Sequence, residues 1–298
     1  MTSTLPPPAA PITAEAPPAP ADRRRPGPGF GTWAAAVLLG LVLVVALFGP
    51  VIAPHDPTAV VGLPSRPPSG EHWGGTDSTG MDVFSRTLAG TRIDVLIAVF
   101  STILATALGV VVGLAVGMNE SRRGPVGTLA RAVSRLLDLL QAIPVVIVGL
   151  VVVSFFGTNT VTMVLAIAVI LMPIQARLTR TEVLRVRGDA YLDAARQAGQ
   201  HELRLIVKHV LPNSVRPALL NVSVILGISI VLTAALGFLG VGLPPPTPEW
   251  GSMIAHGAGD AAVGKWWSAA FPAAALCVTV AASSVLTNRF TLRRTGSG

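Results

Sequence analysis

The chain has 298 residues, of which 51% are hydrophobic and 12% are charged, about half the charged fraction of a typical soluble domain. Its mean hydropathy of +0.64 leaves too few ionisable side chains to cover a globule of this size, so the composition excludes an ordinary soluble enzyme. The formal net charge is +7, and its meaning depends on where the cations lie.

The first 29 residues are rich in proline and alanine and contain almost no bulky apolar side chains. Such a segment cannot bury enough apolar surface to offset the conformational entropy lost on ordering. We therefore predict a disordered tail over residues 1–29. A membrane domain over residues 30–290 and a short tail over residues 291–298 are predicted to follow it.

Six apolar stretches approach the length of about 20 residues that a membrane-spanning helix needs. The sequence therefore predicts an all-α, polytopic membrane protein with six transmembrane helices. The first stretch is longer than the apolar core of a secretory signal peptide, so we expect it to remain as an anchor. The six stretches cover residues 33–53, 95–118, 139–157, 160–176, 217–241 and 267–288.

The cations flank these stretches unevenly. If all six stretches span a membrane, eighteen of the 22 Lys and Arg residues lie on the side that holds both termini, and four lie on the opposite side. Because Lys and Arg in short loops stay on the cytoplasmic side, both termini and residues 177–216 are predicted to be cytoplasmic, and residues 54–93 external. The net charge is thus a topology signal. No nucleic acid partner is expected, since no surface of aromatic and basic residues accompanies the charge.

The chain lacks the residues that would let it power transport or catalyse a reaction alone. Its two lysines, Lys208 and Lys265, belong to no complete G-x-x-x-x-G-K-S/T loop, so we expect no ATP hydrolysis by a P-loop mechanism. The interiors of the six stretches hold no ionisable group of the kind that ion-coupled carriers use. No H-E-x-x-H pair occurs, and no metal site is predicted. Free energy for transport would have to come from another polypeptide.

Two groups of side chains near the apolar stretches carry structural predictions. The amides are expected to form hydrogen bonds between helices and not to bind substrate; they are Gln141, Gln175 and Asn221. The tryptophans are expected to anchor the chain at the membrane interface; they are Trp250, Trp266 and Trp267.

The segment between the fourth and fifth stretches has the pattern of two short helices. Asp189 can cap the first helix, Gly199 can end it, and a second helix can run to Pro212. The local pattern alone fits a surface hairpin as well as a docking device. The spacing D-A-A-x3-G-x9-H-x-L-P, however, resembles the EAA loop of ABC importer permeases, E-A-A-x3-G-x9-I-x-L-P. Its residues are Asp193, Ala194, Ala195, Gly199, His209, Leu211 and Pro212.

Two further segments resemble the same family. By itself, the stretch from Gly75 to Asp82 could be an Asx-type turn or a weak calcium loop. Its longer spacing is similar to the external signature of the second permease subunit of dipeptide, oligopeptide and nickel importers, with Met81 in place of an arginine. Residues 237–251 resemble that subunit's turn after the fifth span. The signature residues are Gly75, Thr76, Asp77, Gly80, Asp82, Ser85, Arg86, Gly90 and Arg92.

The resemblance implies a type I ABC importer permease fold and a location in the bacterial plasma (inner) membrane. It implies that this chain forms half of a translocation path for di- or oligopeptides and docks an ATPase through residues 189–212. The implied partners are a homologous second permease, two ABC ATPase subunits or one fused chain, an external solute-binding protein, the peptide and membrane lipid. ATP and Mg²⁺ would be bound by the ATPases, with no cofactor on this chain.

Two alternatives stay open at this point. A nickel or metal-chelate importer permease would carry the same external signature, although the spans offer few ligands for a bare transition metal. A non-transporting membrane scaffold would share the hydropathy pattern, but the EAA-like loop argues against it.

Overall fold

The computed structural model describes residues 30–188 and 200–295. The predicted tail over residues 1–29 and residues 189–199 of the predicted docking loop lie outside the described residues, as do residues 296–298. The described part consists of helices joined by turns and loops, and its only extended pairing is a single bridge between Thr76 and Asp82. The predicted all-α class is confirmed.

The helices are numbered in chain order within the described residues. They are α1 (Phe30–Ile52), α2 (Val83–Asn119), α3 (Pro125–Leu140), α4 (Val145–Phe156), α5 (Thr160–Val186), α6 (Glu202–Leu205), α7 (Leu211–Ser214), α8 (Arg216–Leu220), α9 (Val222–Leu236), α10 (Trp250–Ala262) and α11 (Trp267–Thr295). Two π-helical turns, π1 (Ile206–Val210) and π2 (Gly237–Val241), interrupt this series.

Four helical segments of the described chain are long and apolar enough to cross a membrane, and a fifth is reached if the bent pair α3 and α4 counts as one span. The described apolar part of α1 is shorter, covering Val37–Ile52. Large apolar side chains stay exposed along these helices, among them Leu47, Val111 and Phe155. Such surfaces fit a lipid environment. The predicted total of six spans is therefore not reached in the described part of the chain.

The predicted span over residues 139–157 is not one helix. The helix α3 ends at Leu140, α4 begins at Val145, and their axes are bent by 100°. Pro144 explains the break, because proline lacks an N–H donor and disfavours helical geometry in the residue before it. At about 1.5 Å per residue, the 12 residues of α4 reach about 18 Å and cannot cross a membrane core of about 30 Å alone.

The helices α2 and α5 form the centre of the fold. Gly109, Gly113 and Gly117 recur every fourth residue on the face of α2 that meets α5, and a Cβ atom at any of them would lie within 3.0 Å of α5 atoms. Small residues at this spacing let two helix backbones approach closely. Both helices extend past the predicted spans: α2 begins at Val83 and α5 ends at Val186. Both helices therefore continue, with polar residues, past the apolar stretches predicted from the sequence.

The buried amide of Gln175 and the partly buried amide of Asn221 link α5 to neighbouring parts of the chain. The Gln175 Nε2 donates to Thr106 Oγ1 at 2.9 Å and to the Ala218 carbonyl at 3.2 Å, and Asn221 Nδ2 donates to Gln175 Oε1 at 3.3 Å. The predicted role of Gln175 and Asn221 in bonds between helices is confirmed. Gln141 instead donates to the Leu137 carbonyl at the end of its own helix.

Candidate functional site

The predicted docking loop is described only from residue 200 onwards. His209, Leu211 and Pro212 lie within it, whereas the remaining EAA-like residues, Asp193, Ala194, Ala195 and Gly199, lie outside the described residues. The second helix of the loop is predicted to end at Pro212. In the structure the helical run continues to Ser214 through π1 and α7. Pro212 has no N–H to donate to the preceding turn. The helix continues past it because the turn before it is of the π type, in which the Leu211 N–H donates to the Ile206 carbonyl five residues back.

The base of this loop packs on the ends of the two central helices. Leu205 and Val210 are each 1% exposed and contact Met118 of α2 and Val183 and Val186 of α5. Packed interiors of this kind have low compressibility. The base of the loop is thus packed directly against the ends of α2 and α5.

Charged groups hold the same junction together. Arg180 of α5 forms a two-pronged ion pair with Glu120 at the end of α2, with Nε–Oε2 and Nη2–Oε1 distances of 2.7 Å each. The hydrogen bond and charge of Arg180 lower the pKa of Glu120, so that carboxylate stays ionised. Arg187 Nη1 adds a 2.8 Å bond to the Gly117 carbonyl. These bonds fix the end of α2 against α5 beside the loop.

The signature residues gather at the start of α2, at the opposite end of that helix. Asp77 Oδ1 accepts bonds from the N–H groups of Thr79 and Met81 at 2.9 and 3.0 Å, which closes an Asx-type turn. Asp82 caps α2 by accepting the Ser85 N–H at 2.8 Å. Gly75 has a φ of 69°, and a Cβ atom there would meet the Trp267 ring. The motif therefore forms one structural unit, made of the Asx-type turn and the N-terminal cap of α2.

Arg86 ties this unit to the segment before α10. Its Nη1 donates to the carbonyls of Pro57 and Pro246 at 3.0 and 3.1 Å, and its Nε lies 3.6 Å from Asp77 Oδ2. The Arg86 side chain is buried. Arg92, the last signature residue, is exposed. The signature thus joins residues 54–92 to the loop around residue 246 and presents one cation at the surface.

Two of the three tryptophans are not interfacial anchors. Trp250 is 1% exposed and Trp267 is 8% exposed, and each indole N–H donates to a backbone carbonyl, of Thr87 and of Thr76. A side chain buried inside the chain cannot reach lipid headgroups, so the prediction is wrong for both. Trp266 is 59% exposed, and its predicted role stays a prediction.

A buried pair of carboxylates next to Trp250 escaped the sequence analysis. Asp94 Oδ2 accepts the Trp250 N–H at 3.0 Å, and Glu249 caps α10 through the N–H groups of Gly251 and Ser252 at 2.7 and 3.1 Å. Burial raises the pKa of Glu249 to about 6, although both N–H bonds act in the opposite direction. The position of Glu249 immediately before an N-terminal turn was the available signal.

Comparison with known proteins assigns the family. Residues 87–293 match the family described as the binding-protein-dependent transport system inner membrane component. The chain belongs to this permease family. In this family the permease spans the membrane and separate ATPase subunits hydrolyse ATP, so the chain is a transport component and not an enzyme.

Individual relatives agree with the family match. The chain is 34% identical over 250 residues to the probable D,D-dipeptide transport system permease protein DdpC of Escherichia coli K12, covering 83% of this chain and 81% of that one. It is 34% identical over 258 residues to the di/tripeptide transport system permease protein DppC of Pseudomonas aeruginosa UCBPP-PA14, covering 84% and 83%. Glutathione transport system permease proteins GsiD of Escherichia coli are also 34% identical, over 254 residues and covering 85% and 82%.

One solved structure is also similar. The MetNI methionine ABC transporter in an inward facing conformation aligns over 66% of this permease and 92% of its own chain, with a TM-score of 0.49 and 21% identity. The family assignment does not depend on this likeness.

Proposed function

We propose that this permease forms half of the translocation path of a peptide importer. The observation that carries the proposal is the 34% identity to dipeptide and di/tripeptide permeases over more than four fifths of their length. The external signature spacing supports it. A homologous second permease would complete the path, and an external solute-binding protein would deliver the peptide.

The permease would dock an ATPase through residues 189–212. Closure of two ATPases on ATP would draw the docking loops together, and the contacts of Leu205 and Val210 with α2 and α5 would carry that motion into the membrane. The bonds of Glu120 and Arg187 would keep α2 and α5 moving as one body. In this mechanism the chain supplies mechanical coupling and a path, while ATP and Mg²⁺ stay with the partner subunits.

The proposed topology has six spans, with both termini in the cytoplasm and residues 54–93 outside. The cation distribution supports it. Reporter fusions test it: a fusion after residue 298 should report the cytoplasm, and one near residue 70 should report the outside. The opposite signal from either fusion would overturn the topology.

Uptake measurements test the proposed substrate. Cells lacking the gene should lose uptake of labelled di- to oligopeptides, and the complemented cells should regain it. Nickel uptake serves as the second arm because the signature is shared with nickel importers. Loss of nickel uptake with intact peptide uptake would reject the peptide assignment in favour of the metal.

A further inference from the structure

Two histidines and an aspartate meet where the segment after α1 reaches the start of α2. Their candidate ligand atoms all lie within 4.8 Å of one another, and we call the three residues the His55–His72–Asp82 cluster. His72 Nδ1 lies 3.0 Å from Asp82 Oδ2, and His55 Nδ1 lies 3.8 Å from the same oxygen. The two imidazole rings are 4.8 Å apart between centroids. Residue types that bind transition metals are therefore gathered around one point.

Backbone bonds hold each member of the cluster in place. Asp82 is fixed as the cap of α2, and its Oδ1 accepts the Ser85 N–H, which leaves Oδ2 facing the histidines. The backbone N–H of His55 donates to Ser85 Oγ at 3.1 Å, and the backbone N–H of His72 donates to Ser69 Oγ at 3.1 Å. The three side chains are therefore arranged by the fold itself. A site prepared in this way loses little conformational entropy when it takes up an ion.

Hydrogen bonds within the cluster give a partner to the His72 ring nitrogen but not to that of His55. A proton on His72 Nδ1 can be shared with Asp82 Oδ2 at 3.0 Å. His55 Nδ1, however, is buried and makes no hydrogen bond within the described residues, although it lies near the same carboxylate. Buried polar atoms without a partner are uncommon and costly. An ion between the three groups would give that nitrogen a partner.

We propose that the His55–His72–Asp82 cluster binds one divalent transition metal ion, with Zn²⁺ as the best fit. Imidazole nitrogens and a carboxylate oxygen suit Zn²⁺. With metal–ligand distances of about 2.1 Å, ligand atoms of a tetrahedral site lie about 3.4 Å apart, which the distances of 3.0 and 3.8 Å bracket. Water would take the fourth position.

The ion would act as a clamp and not as cargo. It would replace the proton between His72 and Asp82 and join the residues that follow α1 to the cap of α2. Since the loop around residue 246 also meets this unit through Arg86, the clamp would stiffen the whole end of the bundle. Residues 55, 72 and 82 form no recognised ligand spacing such as H-E-x-x-H, so this cluster is visible only in the structure.

Zinc titration of the purified full-length permease, carrying a tag without histidine, tests the proposal. We expect one Zn²⁺ per chain for the natural sequence, measured by competition with a chelating indicator. His55→Phe keeps a ring beside His72 and should weaken binding at least about tenfold. His256→Phe is the matched control, because His256 is exposed and lies outside the cluster, and it should bind like the natural chain.

A second measurement separates loss of the site from loss of folding. Zn²⁺ should raise the melting temperature of the natural chain and of His256→Phe, and should leave that of a folded His55→Phe unchanged. Absence of stoichiometric Zn²⁺ binding, or equal binding and equal stabilisation in all three proteins, would overturn the proposal. The result does not depend on peptide transport, so it stands or falls apart from the proposed function.

Discussion

The side chain of Glu249 is fully buried although it carries an ionisable carboxyl group. Its carboxylate caps α10, and Asp94, the other carboxylate at this junction, binds the N–H of the next residue, Trp250. A Cβ atom at Gly237, Gly242 or Gly251 would meet the Glu249 side chain or the backbone around it. The chain is therefore built closely around one acidic group whose pKa is raised to about 6.

This raised pKa makes the stability of the permease depend on pH. Because the folded chain holds the Glu249 proton more tightly than the unfolded chain, the contribution is present below about pH 4.5 and is lost as pH rises through about 6. The shift corresponds to about 2 kcal/mol. Glu249→Gln should therefore flatten the decline of the melting temperature between pH 4.5 and 7.

Glu71→Gln is the matched control for this experiment, since Glu71 is exposed. That variant should keep the pH dependence of the natural chain. An unchanged slope in Glu249→Gln would show that the buried carboxylate does not contribute.

At the scale of single residues, sequence patterns located the motifs but not their contacts. Asp77 and Asp82 were found from spacing, and their turn and cap follow from local chemistry. The interfacial prediction is wrong for Trp250 and Trp267 because the preference of tryptophan for membrane interfaces does not distinguish an indole at the membrane surface from one buried in a tertiary contact. His55 and His72 meet only through the path of the intervening chain, which no local pattern describes.

At the scale of helices, hydropathy marked the apolar centre of each element but not its ends. The cap at Asp82 starts α2 well before the predicted span, and the cations after Gln175 do not stop α5. Pro144 was available as a break signal within the predicted span over residues 139–157, yet apolar composition outweighed it. The glycines of α2 at intervals of four were also a readable signal for close packing.

The Glu120–Arg180 ion pair gives a test of the junction between α2 and α5. Its partners are 20% and 25% exposed and its geometry is two-pronged, so we expect a coupling energy of about 1 kcal/mol. A double-mutant cycle with Glu120→Gln and Arg180→Gln, followed by thermal unfolding in detergent, measures it.

The Asp138–Arg177 pair provides the comparison for this cycle. Its side chains are 53% and 54% exposed, and solvent screening should hold its coupling below about 0.5 kcal/mol. Equal coupling in the two pairs would contradict the special role given to Glu120 and Arg180.

At the scale of the whole molecule, composition predicted a helical membrane protein correctly, and the family match agrees. The described part of the chain reaches four or five spans instead of the predicted six, because α3 and α4 meet at 100° and the described apolar part of α1 is short. The site proposed to receive the ATPase depends on a motif whose first part, residues 193–199, lies outside the described residues. Its test therefore has to be functional.

The most direct test of the central claim is ATPase retention by a Gly199→Val permease, measured together with peptide uptake. If Gly199 supplies a left-handed turn for docking, valine should cost about 1–2 kcal/mol. ATPase co-purification and peptide uptake should then fall about 5- to 30-fold, while peptide binding to the external solute-binding protein is unchanged. Gly259→Val, at an open position of α10, should retain both. Normal ATPase retention and normal uptake in Gly199→Val would contradict the assignment of this loop as the coupling element.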